Sequence, residues 1–228
     1  MPVDVYLEAG AKRVFAGALD WPGWCRAARS EDDALDALIA YGPRYATVLQ
    51  GSGVRFTPPA RVSTLEIIER LKGDATTDFG APSIAPAADA RSVDRRWLAR
   101  QEKILRASWN AFDRAAENAT GPLEKGPRGG GREVDAIVAH VIGAEASYVR
   151  MIGASAKGFE ETGADAARKD ERALVHDGLE RAVVDGIAPG PRGGKRWSAP
   201  YFVRRATWHV LDHAWEIEDR DASRQRDR

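Results

Sequence analysis

The chain has 228 residues, of which 43% are hydrophobic and 30% are charged, and its 34 basic side chains balance its 34 acidic ones. This composition is typical of a soluble globular protein with one large or two modest domains, and it excludes the strong charge bias of nucleic-acid-binding proteins. No apolar run approaches the roughly 20 residues of a transmembrane helix, a single cysteine excludes an internal disulfide framework, and the first residues lack a secretion signal. We therefore expect a cytoplasmic protein that binds neither nucleic acid nor a membrane.

Residues 3–9 and 12–19 have the alternating or β-branched composition of strands, and Gly10-Ala11 between them is a turn signal, which together predict a hairpin. Residues 54–56 are predicted to form a third strand. The stretch Thr64–Arg70 fits a short helix or a strand, and its spacing of apolar residues favours the helix.

A helix is predicted after Ser30, because a serine followed by three acidic residues is a favourable helix start. Its apolar stripe continues to Val48 despite the Gly42-Pro43 pair. Cys25, which precedes this helix, has no histidine or second cysteine nearby in sequence, and this favours a packed thiol over a nucleophile.

The segment 73–91 is rich in glycine, proline and alanine, and it has little hydrophobic patterning. We predict an interdomain linker or a long excursion over the surface there. Four helices are predicted after it, over residues 92–118, 132–152, 165–185 and 199–219, separated by loops that include the glycine-rich run 126–131. The last residues, 221–228, are polar and are predicted to be a frayed tail.

These elements predict an α+β protein of two domains. A small sheet-plus-helix domain would span residues 1–72, and an antiparallel four-helix bundle would span residues 92–220. Metal and cofactor sites in such bundles lie between facing helices, so the residues on the inner faces of the second and fourth helices are the candidates for a site.

Three of the four histidines lie on these inner faces. His209 and His213 are four residues apart in the last helix, so they lie one above the other on the same face, at the edge of its apolar stripe. His140 lies on the apolar stripe of the second bundle helix. Three neutral imidazoles from two helices can bind one divalent metal and leave a position for water or substrate, whereas the alternative is three core histidines bonded to carbonyls or carboxylates.

Other residues near these histidines are candidates for supporting roles. Arg204 and Arg205 lie about one turn before His209 and are candidates to bind an anionic cofactor or substrate, the alternative being solvated charges near the start of the helix. Glu145 and Asp212 are predicted to orient histidines through hydrogen bonds, the alternative being surface ion pairs. Tyr148 and Trp208 are predicted to be packing residues, and His176 is predicted to be exposed and not a ligand.

Two stretches resemble known families. The Asp20-Trp21-Pro22-Gly23-Trp24 turn and the acidic start of the following helix are similar to the HicB-like antitoxin domain, a small strand-strand-helix-strand unit. The motifs around His140 and around His209 and His213 resemble the DinB-like superfamily of four-helix-bundle metalloproteins, which includes mycothiol-dependent enzymes and bacillithiol S-transferases.

The DinB-like resemblance implies a divalent metal, zinc or nickel, bound by His140, His209 and His213. It also implies an enzyme that acts on a small molecule, with a mycothiol-type thiol S-transferase as the expected class. A divalent cation deprotonates a coordinating thiol, which is the chemistry that such a transferase needs. Hydrolysis of a small substrate by metal-activated water and a non-catalytic, metal-stabilised binding or regulatory protein remain the alternatives, and a homodimer is left open.

Overall fold

The structure, a computed structural model, describes residues 2–119, 121–125, 131–157 and 164–221, with the backbone alone for 164–170. It is a mixed α+β structure, as predicted, with a four-stranded sheet near the N-terminus and several helices. The predicted tail, apart from Asp221, and residues 126–130 of the predicted glycine-rich loop lie outside the described residues. The elements in chain order are β1 (Val3–Ala9), β2 (Val14–Ala18), β3 (Cys25–Ala28), α1 (Glu31–Val48), β4 (Leu65–Lys72), α2 (Ala75–Phe79), α3 (Arg95–Asn118), α4 (Val134–Met151), α5 (Ala164–Val184) and α6 (Ala199–Arg220).

The strands form one sheet in the order β3-β2-β1-β4. The predicted hairpin is confirmed, because β1 and β2 pair antiparallel with Val5 opposite Ala18. The strand β3, which the sequence analysis does not predict, pairs antiparallel with β2, and β4 pairs parallel with β1 at the other edge.

Two of the predictions for this region are wrong. The stretch from Thr64 to Arg70 is mostly β4, in which partly buried and exposed residues alternate along the whole strand. Because β4 is an edge strand, an exposed Ile68 breaks the apolar alternation and imitates a helical stripe. Residues 54–56 form no strand, and Phe56 packs against the rings of Trp24 and Tyr45.

The helix α1 begins where the sequence predicts it. The side chain of Ser30 accepts a hydrogen bond from the backbone N–H of Asp33, which caps the helix, and three acidic residues follow in the first turn. The helix continues through Pro43 to Val48, and Leu38 and Tyr45 bury its inner face against the sheet. Packing of this face stabilises the helix against the loss of one backbone hydrogen bond at the proline.

The four long helices α3 to α6 share one hydrophobic core, and each lies within three residues of its predicted bounds. The N-cap of α3 is Asp94, whose carboxylate accepts a hydrogen bond from the N–H of Trp97. None of the helices in the described ranges combines the length and the apolarity that crossing a bilayer requires.

A second core joins the sheet and α1 to two of these helices. Ile104 of α3 and Leu211 and Trp215 of α6 are buried in the same cluster as residues of β1 and α1. The segment 73–91 is held on the sheet by Glu8, a fully buried carboxylate that accepts hydrogen bonds from Thr77, Ser83 and Ile84. The division into domains at residues 72 and 92 stays a prediction.

Candidate metal centre

The three predicted histidines lie together between α4 and α6. One possible ligand atom from each of His140, His209 and His213 lies within 4.8 Å of the others. The Nε2 atoms of His209 and His140 are 3.2 Å apart, and the ring of His213 is centred 4.6 Å from that of His209 and 5.0 Å from that of His140. Three imidazoles at this separation are close enough to hold one metal ion.

Packing of the two helices produces this convergence. Ser198 caps α6 by accepting from the N–H of Tyr201, and Phe202, Val210 and other residues of its apolar face are buried in the helical core. On α4, the fully buried Ile137 anchors the helix one turn before His140. The contact between the apolar faces therefore brings the adjacent histidines of the two helices together.

Burial keeps the histidines in the form that binds metals. Burial lowers the pKa of His209 well below its usual value, and the charges of His213 and Arg205 lower it further. Burial also lowers the pKa of His140, with His213 and Arg132 as further causes. Both rings are therefore neutral at pH 7, and neutral imidazole is the ligand for zinc or nickel.

His213 is oriented by a carboxylate of its own helix. Its Nδ1 lies 2.7 Å from Oε2 of Glu216, and the Nη1 of Arg220 donates to the other oxygen of Glu216 at 2.7 Å. A proton on Nδ1 that is donated to the carboxylate leaves Nε2 of His213 free to bind an ion. The hydrogen bonds with His213 and Arg220 lower the pKa of Glu216 despite its partial burial.

The predicted orienting roles of Glu145 and Asp212 are wrong. Glu145 follows His140 by five residues, which turns it to another face of α4, where it accepts a hydrogen bond from Trp109. Asp212 pairs with Arg26 at 3.1 Å, which is the ion pair that the sequence analysis gives as the alternative. The sequence signal that identifies the correct residue is a glutamate three positions after His213, because residues three apart on a helix are neighbours.

Removing the charge of Glu216 is expected to weaken metal binding. We expect Glu216→Gln to raise the metal dissociation constant about tenfold, because the amide holds His213 less firmly and makes it a poorer donor. Competition with a chromophoric chelator measures this constant. The matched control is Glu218→Gln, since Glu218 lies two residues further on α6 and binds Arg44 instead. Equal affinities in Glu216→Gln and Glu218→Gln would contradict an orienting role.

The two predicted anion-binding arginines lie in different surroundings. Arg204 is buried, and its guanidinium donates to both oxygens of Asp89 and to the carbonyls of Ala18 and Leu19. These contacts join α6 to the sheet and occupy the side chain of Arg204. The guanidinium carbon of Arg205 lies 4.6 Å from the centre of the Trp208 ring, so only Arg205 remains a candidate for anion binding.

The aromatic residues next to the site have the packing roles that the sequence predicts. The ring of Tyr148 is centred 5.7 Å from that of His209, and the ring of Trp208 is centred 6.1 Å from it. Within the described part of the chain, Nδ1 of His209 is buried without a hydrogen-bond partner, so packing against these rings sets the orientation of the imidazole.

The remaining candidate residues lie elsewhere. Within the described ranges, the histidine group includes no other histidine and no cysteine, aspartate or glutamate ligand. His176 lies in a separate cleft of about 420 Å³ between α3 and α5, is partly exposed, and places its Nε2 3.0 Å from Oε1 of Glu102. Burial raises the pKa of the Cys25 thiol to about 12, which agrees with a packed thiol and not a nucleophile.

No protein-family model, no curated protein and no solved structure matches the chain. The functional interpretation therefore depends on the geometry of the three histidines and on the motifs around them.

Proposed function

We propose that this chain is a divalent-metal-binding protein of the DinB-like type, in which α3 to α6 form a four-helix bundle. His140, His209 and His213 are its proposed metal ligands, with zinc or nickel as the metal. The convergence of their rings from two helices is the observation that carries the proposal. The donor set fits the ion, since three neutral nitrogen ligands with no carboxylate or thiolate suit zinc and nickel better than magnesium or calcium.

The proposed activity is that of a metal-dependent enzyme acting on a small molecule, with thiol S-transfer as the reaction class. Three protein ligands leave a coordination position open, which is the arrangement of catalytic sites and not of structural ones. The partial exposure of His140 and His213 gives a ligand a path to this position. A divalent cation bound at this site would favour the deprotonated form of a thiol that coordinates it.

The chain's own residues have distinct tasks in this proposal. Glu216 holds His213 by its Nδ1, which leaves the Nε2 of this histidine as the atom that can bind the ion. Burial keeps His209 and His140 neutral, so protons compete weakly with a metal for their ring nitrogens. Tyr148 and Trp208 limit access of water to one side of His209.

Two other functions are candidates. Hydrolysis of a small substrate would use the same three ligands with water in place of the thiol. A non-catalytic protein would use the metal for stability alone, with the proposed HicB-like unit at residues 1–72 as the partner-binding part. The absence of a fourth histidine, cysteine or carboxylate ligand within the described ranges favours an enzyme over this last function.

Metal analysis of the full chain tests the site. The protein is stripped with a chelator, incubated with zinc or nickel at pH 7, and desalted, and we expect one ion per chain. His140→Ala, His209→Ala and His213→Ala are each expected to lose stoichiometric metal, because two imidazoles bind an ion far more weakly than three. His176→Ala is the matched control, since this histidine lies outside the group and is expected to retain one ion. One ion per chain in all three variants would contradict the proposed three-histidine site.

A conjugation assay then tests the reaction class. Mycothiol and the other common bacterial thiols are each supplied with 1-chloro-2,4-dinitrobenzene, and thioether formation is followed by absorbance. In this reaction the thiol sulfur bonds to the ring carbon, chloride leaves, and the thiol proton passes to the buffer. We expect metal-dependent conjugation with at least one thiol, and none across the whole set would favour hydrolysis or binding.

A further inference from the structure

Arg205 is a charged residue next to the histidines that has no counter-charge within the described part of the chain. Among the described residues it makes no hydrogen bond and no ion pair, and its Nη1 is shielded from solvent without a partner. It stacks instead against two rings, with its guanidinium carbon 4.6 Å from the centre of Trp208 and 5.5 Å from that of Tyr148. Buried polar groups are nearly always hydrogen-bonded, so an arginine held in place with an unpartnered nitrogen indicates a missing acceptor.

The stacked rings place this arginine beside the proposed metal site. Tyr148 contacts Arg205 on one side and His209 on another, and Trp208 also contacts both residues. The guanidinium carbon of Arg205 lies 5.5 Å from the centre of the Tyr148 ring, which is itself centred 5.7 Å from the ring of His209. Its neighbour Arg204 differs completely, because Asp89 and two carbonyls occupy its donors.

The charges around the histidines favour an anion. The carboxylate that contacts His213 is Glu216, and Arg220 binds it as well. Arg132 lies on the exposed segment immediately before α4, the helix that carries His140. With a divalent ion present, the site would carry a net positive charge that a small anionic ligand could offset.

We infer that Arg205 binds a carboxylate of the small molecule whose other end occupies the three-histidine site. This inference rests on the proposed function and names the class of its ligand as a thiol or other metal-binding group that also carries a carboxylate. A planar guanidinium with parallel N–H donors matches the two oxygens of a carboxylate. A phosphate ester is less favoured, because Arg205 is the one cation over the rings beside His209 among the residues that the structure describes, and phosphate sites usually combine several donors.

Thiols of matched length test this inference with the cobalt-loaded full chain. The probes are 3-mercaptopropionate and 4-mercaptobutyrate, compared with the neutral 3-mercapto-1-propanol and 4-mercapto-1-butanol. Sulfur binding to cobalt is read from the near-ultraviolet charge-transfer band, so the readout is affinity and not activity. We expect the protein to bind at least one carboxylate thiol about tenfold or more tightly than its neutral counterpart, as a charge-assisted hydrogen bond at a partly desolvated site provides.

Three variants distinguish carboxylate binding by Arg205 from general electrostatic attraction and from chelation of the metal by the carboxylate. Arg205→Met is expected to remove the preference while cobalt stoichiometry and the affinity for neutral thiols stay unchanged. Arg205→Lys, which keeps the charge and loses the planar fork, is expected to retain only part of the preference. Arg132→Met is the control for the loss of an exposed positive charge, and it is expected to keep most of the preference for carboxylate thiols.

The failure of this inference differs from the failure of the proposed function. If charged and neutral thiols bind equally, or if Arg205→Met keeps the full preference, carboxylate binding by Arg205 is overturned and the metal site stands. If no cobalt binds, both proposals are overturned. If cobalt binds and no thiol alters its spectrum, this inference and thiol S-transfer are overturned and the metal site stands. Tighter binding of 3-mercaptopropyl phosphate than of both carboxylate thiols would overturn the assignment of a carboxylate.

Discussion

Asp89→Ala is expected to lower the free energy of unfolding by about 3–5 kcal/mol, since it leaves the buried guanidinium of Arg204 without its counter-ion. The two side chains form a bidentate ion pair with both bonds at 2.7 Å, and Asp89 is 1% and Arg204 7% exposed. This pair joins the segment after β4 to α6, next to the carbonyls at the end of β2 that Arg204 also binds. Its loss therefore destabilises the contact between the sheet and the helices.

Urea unfolding of the metal-free protein measures this effect. Asp20→Ala is the matched control, because it removes an ion pair with Arg91 in which both side chains are exposed, and such pairs contribute at most about 1 kcal/mol. The double variant Asp89→Leu/Arg204→Met is expected to recover part of the loss, since it removes the charge that Asp89→Ala leaves unpaired. A decrease in the free energy of unfolding of less than about 1 kcal/mol for Asp89→Ala would show that the buried charge of Arg204 does not need Asp89.

Glu145→Gln is expected to stabilise the protein at alkaline pH and to have little effect in acid. Burial raises the pKa of Glu145 to about 7, and the hydrogen bond from Trp109 offsets only part of this rise. The folded state therefore holds this proton more firmly than the unfolded state, whose glutamate titrates near its ordinary value of about 4.3. The contribution of Glu145 to stability is complete below that value and is lost as the pH rises to about 7.

The expected gain for Glu145→Gln is on the order of 3–4 kcal/mol at pH 8, since the pKa of about 7 in the folded state exceeds the ordinary value of about 4.3 and each unit of that difference is worth about 1.4 kcal/mol. Glutamine keeps an oxygen that can accept from Trp109, so the local hydrogen bond is retained. Free energies of unfolding at pH 4.5 and pH 8 measure the difference, with Glu117→Gln as the control at an exposed position of α3. A gain that is the same at both pH values would show that charge burial is not the cause.

Local sequence patterns determined most of the helices and the three histidines. A stripe at helical spacing predicts α3 to α6 because each long helix buries one face, and Ser30 predicts the start of α1 because it caps a backbone N–H within its own turn. His209 and His213 share a helical face whatever lies opposite. Their partnership with His140 also follows from the sequence, since all three lie on or beside stripes that must face a common core.

Only the tertiary structure decided the roles that depend on a distant neighbour. The strand β4 has a helix-like apolar spacing, and parallel pairing with β1 overrides it by supplying the backbone hydrogen bonds. Arg204 and Arg205 are adjacent in sequence, yet α6 turns one toward Asp89 and the other toward Tyr148, because successive helical residues point about 100° apart. Likewise Glu145 binds Trp109 on α3, since the helix opposite this side chain determines its partner.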